Sequence, residues 1–275
     1  MKHNKKVTAI LLILFFLTQV IGLFIIDAYA TTKTEVVEGA QVKTIEYEDL
    51  PYDIERPNFK QETSFLPMLI MVLVVTFFIM LIIKFNAEWL WKSWFFLSVL
   101  FCIIIAFTAF IPRILAVILA ALLAYLKVFR SNVFTQNISE LFIYGGLAAV
   151  FVPVMSLWSI TIFLIIISIY DFIAVYKTKH MIKMAKSHAK LKIFPGLMIP
   201  YGKKLAILGG GDMGLPLIFA GVVMKSYGFL AFIIPIFTTL SLFFLLTKGE
   251  KNKFYPAMPL LTVGSFIGYF TLLLT

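Results

Sequence analysis

The chain has 275 residues, of which 61% are hydrophobic and 14% charged, with a formal net charge of +10. A soluble domain of this size carries about 25% charged residues, so the composition excludes an ordinary water-solvated globule. The apolar residues come in blocks of roughly 16–20, the length of helix that spans ~30 Å of hydrocarbon. The short alternating strands of a membrane barrel are missing from the pattern, and helices satisfy their own backbone in lipid. The one cysteine, Cys102, lies in an apolar block and offers no disulfide framework.

The first block, Val7–Ile26, follows the basic stretch Met1–Lys6 and precedes Ala28-Tyr29-Ala30. That pattern fits either a retained helix or a signal peptide with its cleavage site, and the apolar run is long for the latter. The connector Asp27–Ser64 follows, with nine of the fourteen acidic residues. It reads as a solvated, partly ordered outer loop (27–64) rather than a binding domain. Further spans are expected at Phe65–Ile83, Trp91–Ile111, Ile114–Phe129, Leu141–Met155, Leu157–Val175, Leu205–Val223, Phe229–Leu246 and Phe254–Leu274. The expected fold is therefore an all-α integral membrane protein, a nine-transmembrane-helix bundle forming one embedded domain over residues 1–275.

Nine spans put the termini on opposite sides. With the N-terminus in the cytoplasm, all of the 24 basic residues except Lys33, Lys43, Arg56, Lys60, Arg113 and Lys225 fall on the cytoplasmic side. This is the asymmetry that sets membrane orientation, and it leaves the C-terminus outside. The connection 176–204 holds eight lysines and no carboxylate, so it is expected as a basic cytoplasmic loop. Its charge is topological and suits anionic lipid headgroups; no nucleic-acid partner is implied.

Glu88, Glu140 and Glu250 are expected in, or at the edge of, cytoplasmic connections. Only Asp171 and Asp212 then remain inside apolar spans. A charge at the bilayer centre costs ~2.5–3.5 kcal/mol even on the lenient insertion scale, so both need a reason to be there. No intramembrane Lys, Arg or His is expected to pair with either, and each is the obvious partner of the other. Asp171 lies six residues before Lys177 and Asp212 eight after Lys204. At 1.5 Å per helical residue these are depths of about 9 and 12 Å from the same face. Two close carboxylates share a proton. The ionised one can activate a water against a peptide carbonyl, while the protonated one polarises that carbonyl and helps the amine leave. The two aspartates alone fit a protease and an ion or proton transporter equally.

The flanking residues separate these readings. Asp171 follows Tyr170; Asp212 closes Gly209-Gly210-Gly211-Asp212; the last span opens with Pro256-Ala257-Met258-Pro259. In these motifs, their order and the nine-span layout, the chain resembles the presenilin and signal-peptide-peptidase family of intramembrane aspartyl proteases, most like its prokaryotic, archaeal presenilin homologues. The family carries Tyr-Asp, Gly-x-Gly-Asp and Pro-Ala-Leu in its sixth, seventh and ninth spans. Met258 stands where Leu is usual, a swap of similar size. The resemblance implies Asp171 and Asp212 as the catalytic pair, with Tyr170, the three glycines and Pro256–Pro259 supporting the site. It also implies transmembrane-protein substrates, entering in the N-terminus-outside (type I) orientation if the loop 176–204 is cytoplasmic. Self-cleavage in that loop, as in eukaryotic presenilins, is not expected because it is short.

Glycines before Asp212 let another backbone approach. Pro256 and Pro259 are expected to keep the start of the last span irregular, leaving backbone groups for an unwound substrate. Residues 193–202, with Pro195, Gly196 and Pro200, are either a plain loop or, by the same resemblance, a segment that pairs with an extended substrate. Gly264 and Gly268 are expected to pack helices within the bundle. No span holds a histidine and no His-Glu-x-x-His occurs, which argues against serine and zinc chemistry; no metal or cofactor is expected. The remaining alternatives are a prepilin-type peptidase and a cation leak channel or proton-coupled transporter.

Overall fold

A computed structural model describes residues 4–37, 40–85, 87–178, 194–202, 204–249 and 255–274. Among them are nine α-helices and two β-hairpins. In chain order these are α1 (Lys5–Ala28), β1 (Ala30–Val37), β2 (Ala40–Tyr47), α2 (Phe65–Lys84), α3 (Glu88–Thr108), α4 (Arg113–Phe129), α5 (Val133–Phe151), α6 (Leu157–Ile173), β3 (Gly196–Tyr201), β4 (Lys204–Gly209), α7 (Gly210–Tyr227), α8 (Ile233–Lys248) and α9 (Met258–Leu273). Five helical stretches are long and apolar enough to cross a membrane, one of them comprising α7 and α8 with the short turn between them. The chain is thus a membrane-embedded helical protein. Much of the bundle's outer surface is apolar: Leu66, Ile70, Phe77 and Phe78 of α2 are all exposed, as lipid solvation allows and water would not.

The main core joins α1, α5, α6, α7, α8, α9 and the second hairpin around Phe15, Phe163, Phe219, Met155 and Leu217. Small residues set the closest approaches. A Cβ on Gly146 of α5 would stand 1.9 Å from the Cys102 carbonyl oxygen of α3, and one on Gly268 of α9 would stand 2.9 Å from the Ile234 Cα of α8. Gly264 similarly faces Ser241 and Phe237 of α8, so the Gly264/Gly268 pair packs helices within the bundle.

Three expectations change. The connector 27–64 contains the antiparallel hairpin β1–β2, registered Ala30 to Tyr47 through Val37 to Ala40. Its base is fastened where Tyr29 donates its hydroxyl to the Ile105 carbonyl at 2.8 Å and Arg56 Nε donates to the Ala149 carbonyl at 3.3 Å. The fifth helix begins at Val133, well before Leu141. Asn132 caps it, accepting from the Thr135 N–H, while the Thr135 hydroxyl accepts from the Asn132 N–H. Finally, Leu205–Gly209 is strand, not helix: β4 pairs with β3 from Gly196↔Gly209 to Tyr201↔Lys204. Most of the basic loop expected at 176–204, residues 179–193, lies outside the described residues.

Candidate active site

Asp171 sits in the last turn of α6 and is buried. Its Oδ2 accepts a hydrogen bond from the Met258 N–H at 3.1 Å, and the Ala257 N–H is directed at the same carboxylate. The cause is local. The first N–H groups of a helix have no intrahelical partner, and α9 begins at Met258. Pro259 lies in the first turn, where its missing N–H costs nothing, so it does not disrupt the helix as expected. The irregular part is the segment before it, with Pro256, Ala257 and Met258 all buried against the site. The Met258 N–H is thus committed to Asp171 rather than open to another strand. One turn further into each helix, the Ser168 and Thr262 hydroxyls meet at 2.7 Å and hold α6 and α9 in register.

Asp212 lies in the first turn of α7, with Gly209 as the residue capping that turn. Its side chain is half-buried. The three preceding glycines differ in role. A Cβ on Gly209 would press to 3.3 Å on Asp212 Oδ2, one on Gly210 would stand 2.6 Å from the Tyr144 hydroxyl, and one on Gly211 would meet nothing within 4 Å. Helix α7 packs against α5, α6 and α9, so the elements bearing Asp171, Asp212 and Pro256–Met258 are mutual neighbours. Tyr170, the residue before Asp171, is 41% exposed.

Residues not anticipated from sequence complete the region. Glu140 is 1% exposed in the middle of α5, not at the edge of a connection. Its carboxylate receives the Lys127 ammonium of α4, the Gln136 amide at 3.0 Å and the Tyr144 hydroxyl. A buried carboxylate needs this full set of donors. Lys127, expected among the charges of a cytoplasmic connection, is instead 1% exposed inside the bundle. Its partner is Glu140, not an aspartate. Asp212 is among the ionisable neighbours of Tyr144. On α1, Gln19 Nε2 donates to the Met213 carbonyl at 2.8 Å and braces the turn next to Asp212. The capping pattern at Asn132 was the legible clue to a longer α5, and with it to a buried Glu140.

The model of a family described as signal-peptide peptidase, presenilin aspartyl protease matches residues 39–214, more than half of the chain and inclusive of both aspartates. No curated protein matches the sequence. Two solved structures of a presenilin family intramembrane aspartate protease, in P2 and C222 space groups, are similar in fold. They superpose with TM-scores of 0.66 and 0.64, each at 16% identity, over 96% of this chain and 96–97% of theirs. That likeness extends the shared architecture beyond residue 214, through α8 and α9. By the family match, and with the fold in agreement, the chain belongs to the signal-peptide peptidase and presenilin family of intramembrane aspartyl proteases.

Proposed function

We propose that residues 1–275 form one nine-span intramembrane endopeptidase domain that hydrolyses peptide bonds within transmembrane segments, with Asp171 and Asp212 as its catalytic pair. The observation that carries this reading is the convergence of three separated motifs. Buried Asp171 is bound by the backbone of the Pro-Ala-Met-Pro segment at Met258, and Asp212 opens the helix packed between their two helices. The ionised carboxylate removes a proton from water as the water oxygen bonds to the scissile carbonyl carbon. The protonated carboxyl polarises the carbonyl oxygen, and the C–N bond breaks as the nitrogen takes up a proton. No metal or organic cofactor enters this chemistry.

The Met258 bond orients Asp171. Gly211, with open space where a side chain would be, gives the substrate backbone access, and Tyr170 flanks the entry from the lipid side. Strand addition supplies the unwound substrate. The outer edge of β3 is already occupied by α5 side chains, whereas no α5 side chain bonds β4 among the described residues, which favours the β4 edge. The charge asymmetry supports a cytoplasmic N-terminus, an outside C-terminus, residence in the cell membrane and a preference for type I spans.

The test is incubation of the purified protein with a panel of single-span substrates, followed by mass spectrometry of the fragments. Asp171→Asn and Asp212→Asn should each remain folded and release none. Substantial hydrolysis by either variant refutes the pair, and ion flux with no fragments from any substrate assigns the carboxylates to transport instead.

A further inference from the structure

Helix α5 presents one polar stripe to the site: Gln136, Asn137, Glu140 and Tyr144, spaced so that they share a face. In its second turn, Asn137 Nδ2 donates to the Met198 carbonyl at 2.8 Å and its Oδ1 accepts the Met198 N–H at 2.9 Å. The asparagine amide thus bonds Met198 as a neighbouring strand would. Both backbone groups of Met198 point away from β4, so Met198↔Ile207 is a non-hydrogen-bonded pair of the ladder. Gln136 Nε2 lies 2.7 Å from the Phe194 carbonyl and 2.8 Å from the Gly196 carbonyl, continuing the same edge. Two turns along, Tyr144 lies under Gly210, the first residue of α7. Between them Glu140 clasps both Gln136 and Tyr144 while its charge is held by Lys127.

One rigid element therefore grips the β3–β4 hairpin at one end and the turn bearing Asp212 at the other. We propose that this stripe is a register gauge: Gln136, Asn137 and Tyr144 are positioning residues that fix the hairpin relative to Asp212 and so select which substrate peptide bond is cut. The gauge acts through strand position, not chemistry, and it rests on the reading of the chain as a peptidase that binds substrate against this hairpin. Because side chains alternate along a strand, a slip of the hairpin presents a different bond to the carboxylates.

Asn137→Ala removes both bonds to Met198 and touches nothing at the aspartates. Met198→Pro removes the N–H that Asn137 accepts at a position whose N–H the β4 ladder does not use, and serves if the first variant fails to fold. The experiment has two readouts on full-length protein. Hydrogen exchange of the segment 194–202 should speed up roughly tenfold, the effect of losing about one net hydrogen bond, with the rest of the bundle unchanged. On a single-span substrate the main fragment masses should shift to neighbouring bonds while total turnover persists. Tyr144→Phe, acting at the other end, should lower kcat with KM unchanged. Lower turnover by Asn137→Ala at an unaltered cut position, or unaltered exchange, overturns the gauge. Absence of fragments from the parent protein refutes the peptidase reading instead, and the exchange measurement still decides whether α5 holds the hairpin.

Discussion

The last two glycines before Asp212 make a controlled comparison. Gly210 and Gly211 are the first two residues of α7 and occupy equivalent helical positions. Replacing either by alanine gains the same intrinsic helix preference, up to about 1 kcal/mol. Their surroundings differ. The new methyl at 210 would stand 2.6 Å from the Tyr144 hydroxyl and 3.2–3.3 Å from two ring carbons, whereas at 211 it meets nothing within 4 Å. Tyr144 cannot easily retreat, because its ring is buried and its hydroxyl is tied to Glu140. Overpacking of this kind costs about 1–3 kcal/mol. The shared preference cancels in the difference, so Gly210→Ala should be less stable than Gly211→Ala by about that amount, a gap in melting temperature of roughly 2–12 °C for a chain of this size. Thermal melts of the two purified variants in one detergent measure it. Activity should invert the order of expectation for Gly211→Ala: stability at or above the parent's, with cleavage impaired, if the open side of Gly211 is the proposed approach of the substrate backbone. Equal melting temperatures would refute the packing argument, and full activity of Gly211→Ala would refute that approach.

Two further outcomes are expected. Glu140→Ala leaves Lys127 charged, buried and unpaired, which costs about 3–5 kcal/mol; Lys127→Met with Glu140→Gln removes both charges, keeps an acceptor for Tyr144 and should recover most of the loss. Melts of the single and double variants check this, and parent-like stability of Glu140→Ala would contradict the buried pair. A single cysteine placed at Ser187, in a background lacking Cys102, should resist an impermeant thiol reagent applied to intact cells; efficient labelling would reverse the orientation and remove the basis for type I substrates.

The sequence by itself determined the solvent and the helical class, and it singled out the two aspartates proposed as the catalytic pair. Apolar block length reports hydrocarbon thickness directly, and a carboxylate left in such a block is conspicuous because water is not there to hold it. The capping pattern at Asn132 and Thr135 was equally local, although the helix was expected to begin only at Leu141. What depended on pairing over distance was not legible. Residues 205–209 are apolar and precede a helix, so nothing nearby distinguishes a helical from an extended start; β3, supplied from before the chain's basic stretch ends, decides for strand. Glu140 and Lys127 looked like interfacial charges because each sits near the end of an apolar block. Only the packing of α4 against α5 brings them together and buries both. The Pro-Ala-Met-Pro segment read as an irregular opening of the last span, free for substrate, but its backbone contact with Asp171 required α6 and α9 to be neighbours, a contact spanning 87 residues. Local rules set each element's type from its own side chains, whereas the partners of a buried polar group are chosen by whichever helices the fold sets beside it.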